Sequence, residues 1–200
     1  MKIIEIVLIT AGLAALLAYA GVRGVGEHER NEAIAAFSAA SAPSAPALDA
    51  SPPDQSDWSA ERVAAYEAAE AGRPLAVLRV PGADLEVPVF GDTSERNLNR
   101  GAGYIVGTAL PGSDGNAGIA AHRDGYFRRL QDVSLGDVVT VEHPGGVRRY
   151  EVTELTVVEP TDVSPLDPTG QAALTLVTCY PFYFVGSAPQ RYIVRAVAIN

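Results

Sequence analysis

The segment TLVTCYPFYFVG, residues 175–186, contains the only cysteine of this 200-residue chain. Its first half combines β-branched and apolar residues in the manner of a buried strand, and Pro181 follows the cysteine by two positions. Cys179 therefore stands at the end of a predicted strand. A single cysteine cannot form an intramolecular disulfide. It is a buried small hydrophobe, a link between two copies of the chain, or a reactive thiol.

Short β-type segments surround this one from Pro74 to the C-terminus. They are rich in Val, Ile, Thr and Tyr and are separated by clusters of Gly, Pro, Asp and Asn. The segments are PLAVLRVPG, DLEVPVF, GYIVGTA, AGIAAH, DVVTVEH, VRRYEVTELTVVE, ALTLVTC and RYIVRAVAI. Helical turns are predicted among them in SERNLNR and DGYFRRL. About eight short strands at this spacing predict an all-β domain, either closed or sandwich-like.

The N-terminal end of the chain predicts a membrane anchor. Residues 6–22, IVLITAGLAALLAYAGV, carry no charge. Extension back to Ile3 gives about 20 residues, which as a helix span the roughly 30 Å core of a bilayer. We assign residues 1–22 to an uncleaved transmembrane helix with its N-terminus inside. The alternative is a cleavable signal peptide, because Ala18–Ala20 fits a small-x-small cleavage site.

A spacer and a domain boundary follow the predicted anchor. Residues 23–57 begin with a helix-forming composition and end in SAPSAPALDASPPDQSD, whose Ala, Pro and Ser content predicts a semi-extended linker. The next segment, DWSAERVAAYEAAEAG, predicts a short helix with Asp57 as its N-cap and Gly72 as its stop. The folded domain is predicted to span residues 58–200, a common size for a single domain.

The composition argues against two classes of function. The chain has 24 acidic and 15 basic residues, for a net charge of −9. We expect no nucleic-acid partner, because phosphate binding needs a basic face. The single cysteine and the lack of a Cys/His cluster argue against structural zinc. The chain's imidazoles are His28, His122 and His143.

Three residues at the ends of predicted strands form a candidate catalytic site. His122 ends AGIAAH, Cys179 ends ALTLVTC, and Arg191 begins RYIVRA. Because a thiol is mostly protonated at neutral pH, a nucleophilic cysteine needs an imidazole to take its proton. Attack on an amide carbonyl then places negative charge on oxygen, which a guanidinium stabilises. Arg123 and Arg195 are competing cations.

Each of the three residues also has a structural interpretation. Cys179 fits a buried core thiol, and His122 fits a histidine that ends a strand. Arg191 fits a surface residue in a salt bridge. Only the combination of the three residues indicates a catalytic site.

In their order along the chain, GNAGIAAHRDGYFRRL, LTLVTCYPF and APQRYIV resemble the motifs of the sortase family, nearest to its class D-like group. The TLxTC motif of that family corresponds to residues 175–179. Its histidine, in a small-residue run before Arg-Asp, corresponds to His122, and its arginine at the start of the next strand to Arg191. The resemblance extends from about Trp58 to the C-terminus. Many relatives have Gly where Ala121 stands.

The resemblance implies a fold and a function. The fold is a closed eight-stranded β-barrel with short helices, preceded by a transmembrane helix and a spacer. Cys179 attacks the carbonyl after Thr in an LPxTG-like sorting signal, Arg191 holds the oxyanion, and His122 protonates the departing amine. The thioester then passes to an amine acceptor, a cell-wall peptide or a pilin lysine. Substrate contacts are expected from Thr178 and Ala121.

The resemblance also implies where the protein works and which loop reads its substrate. It implies a single-pass protein of the bacterial cell membrane with an extracytoplasmic catalytic domain. The loop Glu159–Gln171 is expected to line the groove that binds the sorting signal. No cofactor is predicted. Some relatives bind Ca²⁺, but no loop here has a ligand pattern that requires it.

Two alternatives of different class remain. One is a cysteine hydrolase of the same fold, in which water takes the acyl group. The other is a non-catalytic β domain that binds a peptide and has an inert Cys179. The residues alone support an anchored β domain with a candidate Cys–His–Arg site, and acyl transfer rests on the resemblance.

Overall fold

The computed structural model describes residues 53–69, 73–184 and 186–199. The predicted anchor, residues 1–22, and all but the last five residues of the predicted spacer lie outside these ranges. In the ranges described, no helix combines the length and the apolar character needed to cross a membrane.

Eight strands close into a barrel, so the closed alternative of the prediction is confirmed. The strands are β1 (Ala76–Val80), β2 (Leu85–Phe90), β3 (Ala102–Tyr104), β4 (Asn116–Ala120), β5 (Val138–His143), β6 (Gly146–Val158), β7 (Ala173–Tyr180) and β8 (Gln190–Ile199). Around the barrel they follow the order β1, β2, β3, β4, β7, β8, β6 and β5, and β5 pairs back to β1. In the described ranges each strand therefore has a hydrogen-bonded neighbour on both sides.

The alternation of residues along the strands builds one core inside the barrel. On β6, Tyr150 and Val152 are buried, whereas Glu151 and Thr153 between and after them are exposed. This period of two is that of a strand with one wet face. The largest buried side chains include Phe127, Leu78, Ile119, Leu130, Leu174 and Leu176. Burial of each such side chain contributes roughly 1.5–3 kcal/mol.

One predicted strand is much shorter than expected. The composition of GYIVGTA, residues 103–109, predicts a strand throughout, but β3 ends at Tyr104. A turn follows in which the Thr108 N–H donates to the Ile105 carbonyl at 3.2 Å. Gly107 has φ of +98° in this turn. Because that conformation favours glycine, the chain leaves the sheet there despite the β-type composition.

The short helices confirm the predicted helical turns but change one predicted cap. The short helices of the described residues are α1 (Ala60–Ala68), α2 (Glu95–Arg100) and three 3₁₀ helices, at Pro81–Ala83, Tyr126–Asp132 and Ser164–Leu166. Asp57 was expected to cap α1, but Ser59 is the N-cap and its side chain accepts a hydrogen bond from the Arg62 N–H at 3.2 Å. The Asp57 carboxylate instead pairs with Arg128 at 2.7 Å. This ion pair ties the segment before α1 to the barrel.

Candidate active site

Three neighbouring strands bring the predicted catalytic residues to one end of the barrel. β4 and β7 run parallel, so their C-terminal ends coincide, and β8 runs antiparallel and begins at the same end. Cys179 lies directly opposite Arg191 in the ladder, so both side chains stand on the same face. Ala120 pairs with Val177, and His122 and Cys179 each follow this pair by two residues. The imidazole is therefore on the same face, on the other side of Cys179.

The face shared by these side chains is the outer face of the barrel. Leu174 and Leu176 of β7 belong to the interior core. Because side chains alternate along a strand, the odd-numbered residues of β7, Cys179 among them, point outward. Cys179 is partly exposed. The thiol thus lies on the outer face of the barrel, at a partly exposed residue.

Thr178 and Ala121, for which substrate contact stays a prediction, occupy the opposite, core side. Thr178 is 2% exposed and Ala121 6% exposed. The Thr178 hydroxyl donates to the Ala121 carbonyl at 2.8 Å, and the Ala121 N–H donates to the Val177 carbonyl at 3.3 Å. Both side chains are buried. Their contacts hold the backbone just before His122 against the backbone just before Cys179.

The imidazole of His122 is 27% exposed, but its Nε2 atom is buried, and charges of both signs lie nearby. Its Nε2 atom lies 3.6 Å from Glu95 Oε2, beyond hydrogen-bond distance, and within the described ranges it has no hydrogen-bond partner. Burial lowers the pKa of His122 below its ordinary value of 6.5, and the positive charge of Arg62 lowers it further. Asp124 and Glu95 oppose this shift. The Glu95 side chain is 81% exposed, so water screens its effect.

The lowered pKa has a direct chemical consequence. It keeps the His122 imidazole neutral at neutral pH. A neutral imidazole with an unpartnered nitrogen can accept the proton of a thiol and return it to a leaving group. Buried nitrogens normally have a hydrogen-bond partner, so a role in proton transfer accounts for the unpartnered Nε2 of His122.

Arg62 on α1 is a neighbour of the site that the sequence did not reveal. Its Nη1 donates to Asn99 Oδ1 of α2, and its Nε lies 3.7 Å from the Asp124 carboxylate. The guanidinium also stacks 4.3 Å from the centre of the Trp58 ring. The Trp58 indole N–H donates to the Asp124 carbonyl. These contacts fix the charge of Arg62 beside the turn that follows His122.

The guanidinium of Arg191 is held by the loop that connects Cys179 to it. Its Nη1 donates to the carbonyls of Ala188 at 3.3 Å and Gln190 at 2.9 Å. The competing cations have other positions. Arg195 pairs with Thr175, four residues before Cys179 on β7. Arg123 donates to carbonyls of the same connecting loop.

The loop between β6 and β7, residues 159–172, is attached to the outer face of β4 and β7. Asn116 Nδ2 donates to the carbonyls of Pro165 at 2.9 Å and Asp167 at 3.0 Å. The Thr175 hydroxyl donates to Asn116 Oδ1 at 2.8 Å. A methyl group added at Gly118 would come within 2.9 Å of Leu166, so glycine allows this close approach. The loop predicted to line a groove lies on the same face as Cys179.

A separate cavity of about 600 Å³ lies outside this cluster. Neither His122, Cys179 nor Arg191 lines it. Six of its charged side chains pair with one another: Arg79 with Glu86 at 3.0 Å, Arg128 with Asp57 at 2.7 Å, and Arg129 with Asp84 at 3.7 Å. The seventh, Asp54, accepts a hydrogen bond from the Ser56 N–H at 3.0 Å. We therefore locate the candidate site at the outer face of β4, β7 and β8. In the part of the chain that the structure describes, no cluster of three His, Cys, Asp or Glu side chains could hold a metal.

Comparisons with known proteins identify relatives of one family. A family model described as "Sortase domain" matches residues 78–199. Sortase D of Bacillus subtilis (strain 168) is 32% identical over 126 residues, which cover 62% of this chain and 64% of that protein. The match thus spans just under two thirds of that relative's own length.

Solved structures agree with the sequence comparisons. Clostridium perfringens Sortase D5 has a TM-score of 0.59 at 25% identity, over 70% of this chain and 88% of that one. Streptococcus agalactiae sortase C1 has a TM-score of 0.59 at 29% identity, over 66% of this chain and 72% of that one. The class D relatives are consistent with the group suggested by the motifs.

Proposed function

This chain belongs to the sortase family, and from that premise we propose that it is a membrane-anchored cysteine transpeptidase acting on LPxTG-like sorting signals. One observation supports the proposal above the others. The side chains of His122, Cys179 and Arg191 share one face at one end of three adjacent strands, with the thiol in the middle. A nucleophile between a base and a cation is the arrangement that acyl transfer requires.

The first half of the proposed reaction forms a thioester. The His122 imidazole takes the proton of the Cys179 thiol, and the sulfur attacks the carbonyl carbon after Thr in the sorting signal. Negative charge develops on the carbonyl oxygen, and the guanidinium of Arg191 stabilises it. The carbon–nitrogen bond then breaks, and the imidazolium of His122 gives its proton to the departing amine.

The second half releases the acyl group to an acceptor. An amine attacks the thioester carbonyl, and His122 removes its extra proton. The carbon–sulfur bond breaks and the thiol of Cys179 is restored. We propose a cell-wall peptide or a pilin lysine as the acceptor. Water in the place of the amine gives hydrolysis, which is the alternative activity.

We also propose the location and the contacts of the substrate. The apolar run at residues 6–22 supports an N-terminal anchor in the bacterial cell membrane, with the catalytic domain on the extracytoplasmic side. The loop between β6 and β7 and the outer face of β7 support a groove that holds the sorting signal. Tethering enzyme and substrate to one membrane raises their effective concentration. The transfer can then proceed even when the chemical step is slow.

The test uses the full-length chain in detergent with a library of sorting-signal peptides and candidate amines. The proposal predicts a mass increase on Cys179 from the acyl-enzyme, followed by ligated product. Cys179→Ala should abolish both, and Arg129→Ala is a charge-changing control on an exposed residue. If the peptide is hydrolysed and no ligated product forms with any of the amines, the result would instead support the cysteine hydrolase.

The non-catalytic alternative is tested with a thiol alkylator on the native protein. Rapid labelling of Cys179 at pH 7 that slows in His122→Ala supports an activated nucleophile. Labelling that occurs only after denaturation would indicate an inert thiol and a binding domain. A dimer that collapses on reduction would indicate that Cys179 links two copies.

A further inference from the structure

The loop that leads from Cys179 to Arg191 is bound to the segment that follows His122. This connecting loop comprises residues 181–189. Its Tyr183 ring lies 4.8 Å from the guanidinium of Arg128, and Gln131 Nε2 donates to the Tyr183 hydroxyl at 3.4 Å. Tyr183 is nevertheless 69% exposed, so these contacts are peripheral.

The central contact of the connecting loop is Arg123, the residue next to His122. Its Nη2 donates to the carbonyls of Phe184 at 2.7 Å and Gly186 at 2.8 Å. Its Nη1 donates to the carbonyl of Pro181 at 3.3 Å. The Phe184 ring lies 5.7 Å from the same guanidinium. One planar group with five donors can hold several carbonyls at fixed angles, which an ammonium group cannot do.

The same loop holds Arg191 at its other end. The carbonyls of Ala188 and Gln190 accept hydrogen bonds from Arg191 Nη1. Arg123 therefore binds the loop carbonyls of Pro181, Phe184 and Gly186. Arg191 binds the loop carbonyl of Ala188 and that of Gln190, the first residue of β8. A change in the loop conformation would move the carbonyls that orient Arg191.

We propose that Arg123 is a positioning residue that fixes the connecting loop and, through its carbonyls, the orientation of the Arg191 guanidinium. The role of Arg191 in this inference rests on the proposed function above. Arg123 couples the histidine to the oxyanion-stabilising group, since it follows His122 directly in the chain. It touches neither the thiol nor the scissile bond.

Two measurements on the full-length chain test this arrangement, and neither requires an assay of enzymatic activity. Arg123→Ala should raise the rate of chymotrypsin cleavage after Tyr183 or Phe184 about tenfold, because cleavage requires the loop to open. It should also speed the modification of Arg191 by phenylglyoxal, as measured by peptide mass. Arg129→Ala, the exposed control, should change neither rate. Unchanged loop cleavage or unchanged Arg191 modification in Arg123→Ala would overturn the proposal.

Kinetics then separate positioning from general destabilisation. Arg123→Ala should lower kcat/KM for the sorting peptide about tenfold, mainly through kcat. Arg123→Lys should have a kcat/KM between those of Arg123→Ala and wild type. In an Arg191→Lys background, Arg123→Ala should lower kcat/KM little further, because the guanidinium that Arg123 positions is already replaced. Additive losses in the double variant would contradict the proposal.

The two proposals fail in different ways. If the wild-type chain forms no acyl-enzyme with any peptide, the proposed function fails, while cleavage and phenylglyoxal rates still decide the role of Arg123. Circular dichroism melting of Arg123→Ala checks that it is folded. If it is not, Arg123→Lys is used for both rate measurements, and the same outcomes apply.

Discussion

The Thr178 hydroxyl donates a 2.8 Å hydrogen bond to the carbonyl of Ala121, and both residues are buried. The bond joins the positions immediately before Cys179 and His122, across the parallel pair β4 and β7. The bond therefore holds the backbone before Cys179 against the backbone before His122 from the core side of the sheet. The role of Thr178 is thus to join the two strands that carry Cys179 and lead to His122.

Thr178→Val should damage both stability and activity. Valine keeps the shape but leaves the buried Ala121 carbonyl without this donor, at a cost of about 1–3 kcal/mol in the free energy of unfolding. The kcat/KM of sorting-peptide cleavage should also fall. Thr178→Ser retains the donor and should preserve activity better, although it loses a buried methyl group. Equal activity of the valine and serine variants would contradict a role for the hydrogen bond. Urea denaturation and the cleavage assay provide the measurements.

The stability of the domain should depend on the protonation of His122 at mildly acidic pH. Its folded pKa lies below the ordinary value of 6.5 because burial, and then Arg62, disfavour the imidazolium. The unfolded chain therefore binds this proton more readily. The stabilising contribution is fully present above pH 6.5 and is lost as the pH falls through the folded pKa.

The corresponding measurement compares wild type with His122→Gln by urea denaturation from pH 7.5 to pH 5. The wild-type free energy of unfolding should decline more steeply below pH 6.5 than that of the variant. Parallel curves for the two proteins would show that His122 has the same pKa in the folded and unfolded states.

Arg62→Gln should raise the pKa of His122, because it removes the second cause of the lowered value. Glu95→Gln should lower that pKa slightly, since the exposed carboxylate opposes the shift and is screened by water. Arg96→Gln, which removes an exposed charge from α2, serves as the charge-matched control. NMR titration of the imidazole gives the pKa directly. An Arg62→Gln titration identical to that of wild type would contradict the electrostatic role of α1.

Asn116→Ala should release the loop between β6 and β7. It removes the donor to two loop carbonyls and the acceptor of the Thr175 hydroxyl, all at a site that is 2% exposed. We expect a loss of about 1–3 kcal/mol in unfolding free energy. If this loop contacts the sorting signal, KM for the peptide should rise as well.

A control within the same loop is Thr169→Ala. Its hydroxyl donates to the exposed Gln171 carbonyl at 2.6 Å, and this bond does not reach β4 or β7. That variant should keep the stability of wild type. A KM unchanged in Asn116→Ala despite the lost stability would separate the loop from peptide recognition.

Local sequence was sufficient to predict most of the strands, the small helices and the candidate catalytic residues. Period-two alternation in segments such as RYEVTELTVV is a property of a few adjacent residues, so β6 could be read directly. The exceptions also have local causes. β3 ends early at a turn containing Gly107. The helix near Asp57 begins at Ala60, so Ser59 stands in the cap position and its side chain accepts from the Arg62 N–H.

The order of residues along the chain already indicates that a cysteine, a histidine and an arginine stand at the ends of β-type segments within a domain rich in short strands. Their shared outer face is visible only in the folded barrel, because the pairing of β4 with β7 joins residues more than 50 positions apart. The fold also places Thr178 and Ala121 behind the site and Arg62 and Arg123 around it. Such placements depend on strand register and barrel closure, which no local pattern of residues encodes.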